Sequence, residues 1–172
     1  MADPIHGVAV DAGSGLEALI REARGSDAQS DDLLTFKRAV LEVLGPSAST
    51  VLLDATCGPD LLSNYPDSCT RMLAFEADVY HISDDDRITV LPESFTVADY
   101  PAMGVPLLKF FIYYAPDDDP ALNARKENLV ADIGRQCRDA GVQYLMEPLV
   151  YHPNVEPGKA EYAALKPGLV ER

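Results

Sequence analysis

The sequence predicts an α/β fold built on a parallel sheet whose outer face is covered by helices. Five short apolar runs recur along the chain, and segments with helical periodicity separate most of them. Near-continuous apolar runs are typical of parallel strands, because such strands are buried on both faces. No linker, internal repeat or low-complexity tract divides the chain, so we expect residues 1–172 to form a single domain.

The apolar runs give the positions of the strands. The clearest is VPLLKFFIYYA at 105–115, which is also the longest. The five strands are expected at 6–13, 49–58, 69–77, 105–115 and 142–152. Two long connections, at 57–69 and 78–92, are rich in Asp, Ser, Pro and Asn, and loops of this length in α/β proteins are often functional.

Helix start and stop signals flank the segments between the strands. The helix at 30–45 has Ser30 as its N-cap and Gly45 just past its end. The helix at 119–141 has an acidic start and stops at Gly141. A weaker helical segment at 93–104 is interrupted by Pro101. The predicted helices lie at 16–25, 30–45, 93–104, 119–141 and 158–168.

Composition excludes several classes of partner. The net charge is −14, from 28 acidic and 14 basic residues, so the chain is expected to bind neither nucleic acid nor an anionic membrane. No apolar run is long enough to span a membrane. The first residues resemble no signal peptide, and we expect a cytoplasmic protein. The three cysteines and three histidines are scattered, so no metal site or disulfide framework is expected.

Charged residues recur where the predicted strands end. Asp11, Asp54, Glu76 and Glu147 close strands one, two, three and five, and Lys109 lies inside strand four. An unpaired charge in a buried strand is costly, so these groups are expected to share a polar pocket at the carboxyl ends of the strands, where α/β enzymes build their sites. The alternative is that an acid caps the next helix or opens a turn, and for Asp54 both interpretations stay open.

Lys109 could act in either protonation state. Burial lowers the pKa of an amine and nearby carboxylates raise it, so the sequence alone leaves the state of Lys109 open. A neutral amine attacks carbonyls, whereas an ammonium binds phosphate or stabilises an oxyanion.

The order of these segments resembles the tagatose 1,6-bisphosphate aldolase family, which is related to the sulfofructose-phosphate aldolases. The likeness spans almost the whole chain. It is carried by VAVDAG (8–13), ASTVLLDATCG (48–58), LAFEADVY (73–80), LLKFFIYYAPDDDPALNARKENLVADIGRQC (107–137) and YLMEPLVY (144–151).

This resemblance implies a (β/α)8 TIM barrel and a class I aldolase acting on a phosphorylated sugar. Such enzymes form an imine between a lysine and the substrate ketone without a metal or other cofactor, and they release dihydroxyacetone phosphate and an aldehyde. By resemblance, Glu147 is the general acid/base and Lys109 lines the pocket and contacts substrate. Asp11, Glu76 and Asp54 match substrate-binding positions.

Three departures from the family pattern concern the choice of sugar. The family usually continues with Gln-Arg after the aspartate matched by Asp11, whereas this sequence reads AGSG and lacks that basic group. Ala77 stands where lysine is common in tagatose-type members, and Cys57 stands where an aromatic residue is common.

The family's imine-forming lysine lies on strand six, which would follow Arg172. We therefore expect an incomplete barrel of about five βα units, without strands six to eight, and with strands one and five as exposed edges. This polypeptide alone is expected to have little aldolase activity unless Lys109 forms the imine. The alternatives are a sulfosugar-phosphate aldolase, or a non-catalytic half-barrel that self-associates or pairs with a separate C-terminal subunit.

Overall fold

The computed structural model describes residues 5–25, 30–78, 82–83 and 86–171, and it contains the predicted parallel sheet. Five strands lie in the order β1-β2-β3-β4-β5, and every neighbouring pair is parallel. Their bounds are Gly7–Val10 (β1), Thr50–Leu53 (β2), Thr70–Ala74 (β3), Leu107–Tyr114 (β4) and Gln143–Val150 (β5). The five predicted strands are confirmed, and each is shorter than its predicted range.

Helices connect the strands much as the sequence predicts. Asp119 caps the longest helix by accepting bonds from the backbone N–H groups of Ala121 and Leu122, and Gly141 ends that helix with a φ of 70°. The helices are Ser14–Arg24 (α1), Ser30–Leu44 (α2), Gly58–Leu61 (α3), Pro120–Ala140 (α4) and Ala160–Val170 (α5). The helix α3 lies within the predicted loop at 57–69, and α5 continues two residues past its predicted end.

The weak helix predicted at 93–104 is wrong over most of its length. A single 3₁₀ turn, Val97–Asp99, forms there. The side chain of Asp99 accepts bonds from the backbone N–H and hydroxyl of Thr96, which closes this turn locally. Pro101 then follows within two residues, and a proline cannot donate the backbone bond that a continuing helix would need.

The two faces of the sheet have different surroundings. On β4, Leu108, Phe110 and Ile112 point toward the helices and pack in the main hydrophobic core with Ile133 and Cys137 of α4. The alternate residues of the strand, Leu107, Lys109, Phe111 and Tyr113, point to the opposite face, because side chains alternate along a strand.

The sheet curls around this second face. The amine of Lys109 lies 2.9 Å from the carboxylate of Asp11, which directly follows β1. Three strand spacings of about 4.8 Å would separate β1 from β4 in a flat sheet, so this contact requires the sheet to bend inward. The chain is therefore a curled half-barrel of about five βα units, that is, an incomplete TIM barrel.

The strands at the two edges are β1 and β5, as expected. The edge strand β5 carries exposed apolar residues, and Leu145 and Met146 are 50% and 41% exposed. No helix in the described part of the chain has the length and apolar character required to cross a membrane.

Candidate active site

Lys109 stands at the centre of a group of carboxylates on the inner face of the half-barrel. Its Nζ lies 2.6 Å from Glu76 Oε1, 2.9 Å from Asp11 Oδ2 and 3.0 Å from Glu147 Oε2. Lys109 and Glu76 are only 5% and 6% exposed. The structure thus brings together four of the five residues that the sequence singled out.

Four separate strands place these groups. Asp11 directly follows β1, and Glu76 comes two residues after β3. Lys109 is the third residue of β4 and pairs in register with Ala74 of β3. The convergence follows from parallel strands, because their carboxyl ends meet at one end of the barrel.

Glu147 corrects one sequence prediction. The sequence placed it at the end of strand five, but β5 continues three residues beyond it to Val150. Glu147 pairs in register with Phe111 of β4, so it lies within the strand and points to the inner face. Its side chain is 48% exposed, which makes it the most accessible of the three carboxylates around Lys109.

The surroundings of Lys109 decide its protonation state. Burial lowers the pKa of this amine, but the negative charges and hydrogen bonds of Glu76 and Asp11 outweigh burial, so its pKa lies above the ordinary value. The amine is therefore a cation at neutral pH. This resolves the question that the sequence left open.

Glu76 shows the opposite balance. Burial raises the pKa of its carboxyl to about 7, because desolvation exceeds the opposing attraction of Lys109. Its Oε1 is held by Lys109, while its buried Oε2 has no hydrogen-bond partner among the described residues. Near neutral pH this carboxyl is therefore present in both its protonated and its ionised form.

Asp54 has partners of its own. Its Oδ1 accepts hydrogen bonds of 2.8 Å from the backbone N–H groups of Thr56 and Cys57, and its Oδ2 pairs with Lys37 of α2. Asp54 lines the same cavity as Lys109 but makes no contact with it that the structure records. Its hydrogen bonds match the turn-capping interpretation.

Lys37 was missed by the sequence reasoning. It is completely buried and its amine pairs with Asp54. The signal was present, because Leu33, Lys37 and Leu41 are spaced four residues apart and all three are buried on one face of α2. A lysine on that apolar stripe needs an anionic partner.

Asp78 was also missed. Its carboxylate accepts bonds from the backbone N–H and the hydroxyl of Ser14, at 2.7 and 2.6 Å. Both residues line the cavity. They are 64 positions apart in the chain, and no spacing in the sequence indicates the contact.

These residues enclose an open cavity of about 290 Å³ at the carboxyl ends of the strands. Phe111, Leu149 and small residues form its apolar walls. Its ionisable lining consists of five carboxylates and one amine, namely Asp11, Asp54, Glu76, Asp78, Glu147 and Lys109. A polar, half-enclosed site of this kind can bind a hydroxylated substrate and transfer protons to it.

A second buried lysine lies outside this cavity. Lys126 of α4 is completely buried and donates to the hydroxyl of Tyr151 at 3.0 Å. That hydroxyl in turn donates to Asp118, and the guanidinium of Arg87 lies over the Tyr151 ring at 4.3 Å. Lys126 borders a separate groove between the sheet and its helices, so it does not reach the carboxylates around Lys109.

Known proteins resemble this chain over nearly its full length. It is 29% identical over 168 residues to tagatose 1,6-diphosphate aldolase of Listeria monocytogenes serotype 4a (strain HCC23). It is 28% identical over 166 residues to tagatose 1,6-diphosphate aldolase 2 of Enterococcus faecalis (strain ATCC 700802 / V583). These alignments cover 97% and 95% of this chain and 49% of each relative, so the chain spans about half the length of the curated relatives it matches.

The profile of the DeoC/LacD family of aldolases matches residues 6–172. The match includes all five strands and every residue around Lys109. This chain therefore belongs to the DeoC/LacD aldolase family.

Proposed function

We propose that this chain is part of a class I aldolase that cleaves a ketose phosphate or bisphosphate, such as tagatose 1,6-bisphosphate. The products would be dihydroxyacetone phosphate and an aldehyde. The observation that carries the proposal is the contact of Lys109 with Asp11, Glu76 and Glu147 on the inner face of the half-barrel. The names of the relatives support the same reaction. We take residues 1–172 as one partial barrel domain that acts in the cytoplasm.

Glu147 is the proposed general acid/base. Its side chain is half exposed within the cavity, so it can reach a substrate hydroxyl, unlike the buried Glu76. In cleavage, its carboxylate takes the proton of the C4 hydroxyl. The oxygen electrons then form the new carbonyl, the C3–C4 bond breaks, and its electrons pass through C3 into the iminium that a lysine elsewhere in the whole enzyme would form at C2.

Lys109 is proposed to bind substrate as an ammonium. Three carboxylates hold its positive charge, and an ammonium has no lone pair with which to attack a ketone. It can instead donate hydrogen bonds to substrate oxygens and stabilise negative charge that develops on them. Asp11 and Glu76 would fix its position and accept bonds from substrate hydroxyls.

We further propose that the 172-residue polypeptide alone has little aldolase activity. Among the described residues that line the cavity, Lys109 is the one amine, and it is protonated. Lys37 is completely buried and pairs with Asp54, Lys126 is completely buried against Tyr151, and neither lysine lines the cavity. Borohydride reduction in the presence of dihydroxyacetone phosphate is therefore expected to leave the mass of the protein unchanged. A stable adduct on Lys109 would contradict this proposal.

Ligand binding tests the site itself. Titration of the chain with dihydroxyacetone phosphate, followed by amide NMR, is expected to shift resonances of β4 and β5 around Lys109 and Glu147. Tagatose 1-phosphate carries the C4 hydroxyl that dihydroxyacetone phosphate lacks, and Glu147→Gln should weaken its binding about tenfold through the lost hydrogen bond to that hydroxyl, which corresponds to about 1.4 kcal/mol. Glu156→Gln, which changes an exposed acid that does not line the cavity, is the matched control. Unchanged β4 and β5 resonances at millimolar ligand would reject the proposed site.

The exposed edge strand favours a second candidate function, a half-barrel that pairs with another polypeptide. Leu145 and Met146 are half exposed, and they lie on β5, an edge strand that pairs only with β4 within the described sheet. Unpaired strand edges with apolar side chains promote association with another chain. Sedimentation velocity over a range of concentrations should then show a dimer, and Met146→Lys should dissociate it, whereas Leu165→Lys on α5 should not. A monomer at all concentrations would exclude self-association.

A further inference from the structure

Asp78 occupies the position at which the first helix would bind an anion. Its Oδ2 accepts the Ser14 backbone N–H at 2.7 Å, and its Oδ1 accepts the Ser14 hydroxyl at 2.6 Å. Ser14 is the first residue of α1, which is 11 residues long. The N–H groups of a first helical turn, together with the helix dipole, attract phosphate and carboxylate groups. Here a carboxylate of the protein takes both donors of Ser14.

The backbone is shaped for this carboxylate. A Cβ on Gly13 would lie 2.1 Å from Asp78 Oδ2, so only glycine at this position permits the approach. The contact joins the segment after β1 to the segment after β3, and both Ser14 and Asp78 line the cavity. A ligand oxyanion could reach Ser14 only by displacing Asp78.

The rest of this side of the cavity is also acidic. Lys109 is the one cation among the described lining residues, and three carboxylates already surround it. A neighbouring cavity shares Thr56 and Asp78 with the first and adds Asp60 and Glu93 as its further ionisable groups. A phosphate placed beside β1 to β3 would therefore meet several carboxylates, whereas hydroxyl groups could donate hydrogen bonds to them.

We propose that Asp78 is a specificity-determining residue that excludes phosphate from the β1–β3 side of the cavity. The substrate would be a ketose monophosphate whose hydroxylated, uncharged end lies against Asp11, Glu76 and Asp78. Its phosphate would point away from α1. This inference rests on the proposed function for the identity of the substrate, but the exclusion of anions at Ser14 follows from the geometry alone.

Inorganic phosphate tests the exclusion directly. In the wild-type chain, titration with phosphate should leave the Ser14 amide resonance unshifted at concentrations where Asp78→Ala shows saturable binding, with a difference in apparent affinity of at least about tenfold. Asp78→Asn keeps the shape of the side chain but removes its charge, and it should show intermediate binding. Asp60→Asn, a neutralised acid that does not touch Ser14, should behave as wild type.

Two results would overturn the proposal. One is phosphate binding at Ser14 in the wild type as tight as in Asp78→Ala. The other is the absence of phosphate binding in both Asp78 variants. That result would show that Ser14 does not bind anions even when Asp78 is replaced.

Comparing the binding of a ketose monophosphate with that of the matching bisphosphate tests this inference separately from the proposed function. In competition, the wild type should bind tagatose 1-phosphate at least about tenfold more tightly than tagatose 1,6-bisphosphate, and Asp78→Ala should narrow this ratio. Equal or tighter binding of the bisphosphate by the wild type would reject the specificity and leave the aldolase proposal standing. Binding of neither sugar would reject the proposed function and the substrate class together.

Discussion

Lys109 is held in its charged form because carboxylates surround an amine that is almost fully buried. Removing the amine would leave those carboxylates, Glu76 above all, without a counter-ion. Breaking a buried ion pair by removing one partner costs about 3–5 kcal/mol. We expect Lys109→Met to lower the free energy of unfolding at pH 8 by about 3 kcal/mol in urea denaturation. The exposed pair of Lys159 with Glu156 gives the control, since Lys159→Met should change stability by less than about 0.5 kcal/mol.

Glu76 makes stability depend on pH in a definite direction. Its pKa is raised to about 7 in the folded state, so between its ordinary pKa and 7 the folded chain binds a proton that the unfolded chain releases. Stability contributed by this group therefore falls as pH rises through that interval, by on the order of 3 kcal/mol. In Glu76→Gln this contribution should disappear, and urea denaturation from pH 4.5 to 8 would measure the difference between the two proteins. Parallel pH profiles for the two proteins would contradict the assignment.

At the scale of elements, the buried pair between Lys37 and Asp54 joins α2 to the end of β2. Each single change, Lys37→Met or Asp54→Asn, leaves a buried polar group without its partner, and we expect a loss of about 3 kcal/mol for Lys37→Met. The double variant should be more stable than the sum of the single effects predicts, with a coupling energy of about 2 kcal/mol. The exposed pair of Arg21 with Glu17 should show a coupling of only about 0.3–0.5 kcal/mol in the same cycle.

The end of α4 depends on one glycine. Gly141 has a φ of 70°, and a Cβ there would meet nothing within 4 Å, so its replacement acts through backbone conformation alone. Gly141→Ala should lower the free energy of unfolding by about 1 kcal/mol, or Tm by about 2–4 °C for a domain of this size. Gly15→Ala in α1 is the control, because Gly15 also has open space but its φ is not positive. Thermal unfolding of the two variants should separate them by that amount.

At the scale of the whole molecule, the net charge of −14 opposes compaction. Salt screens repulsion between exposed acids but acts little on the buried contacts of Lys109, because the screening length falls from about 10 Å at 0.1 M to about 3 Å at 1 M salt. We expect Tm to rise by on the order of 5 °C between 0.1 and 1 M NaCl. The rise should shrink in a variant that neutralises four exposed acids, Asp60, Asp67, Glu93 and Asp139. A Tm that falls with salt would contradict the expectation.

The elements could be predicted because their signals are local. Strand β4 follows from one apolar run, and α4 follows from its cap at Asp119 and its stop at Gly141. The weak helix at 93–104 failed because the Thr96–Asp99 turn and Pro101 override an ambiguous periodicity. In each case the interactions that form or end the element join residues close together in the sequence.

The order of strands and helices follows from local patterns in the sequence. The convergence of Asp11, Glu76, Lys109 and Glu147, which lie on or just after their strands, follows from side-chain alternation and parallel pairing. Other features became visible once the chain was folded: Lys109 is an ammonium and the pKa of Glu76 is near 7. Lys37 pairs with Asp54, and Asp78 accepts hydrogen bonds from Ser14 at the start of α1. These features could not be predicted from the sequence, because pKa values and anion contacts depend on distances between groups that the curl of the sheet brings together. Residues as far apart as Ser14 and Asp78 acquire those distances only when the half-barrel has formed.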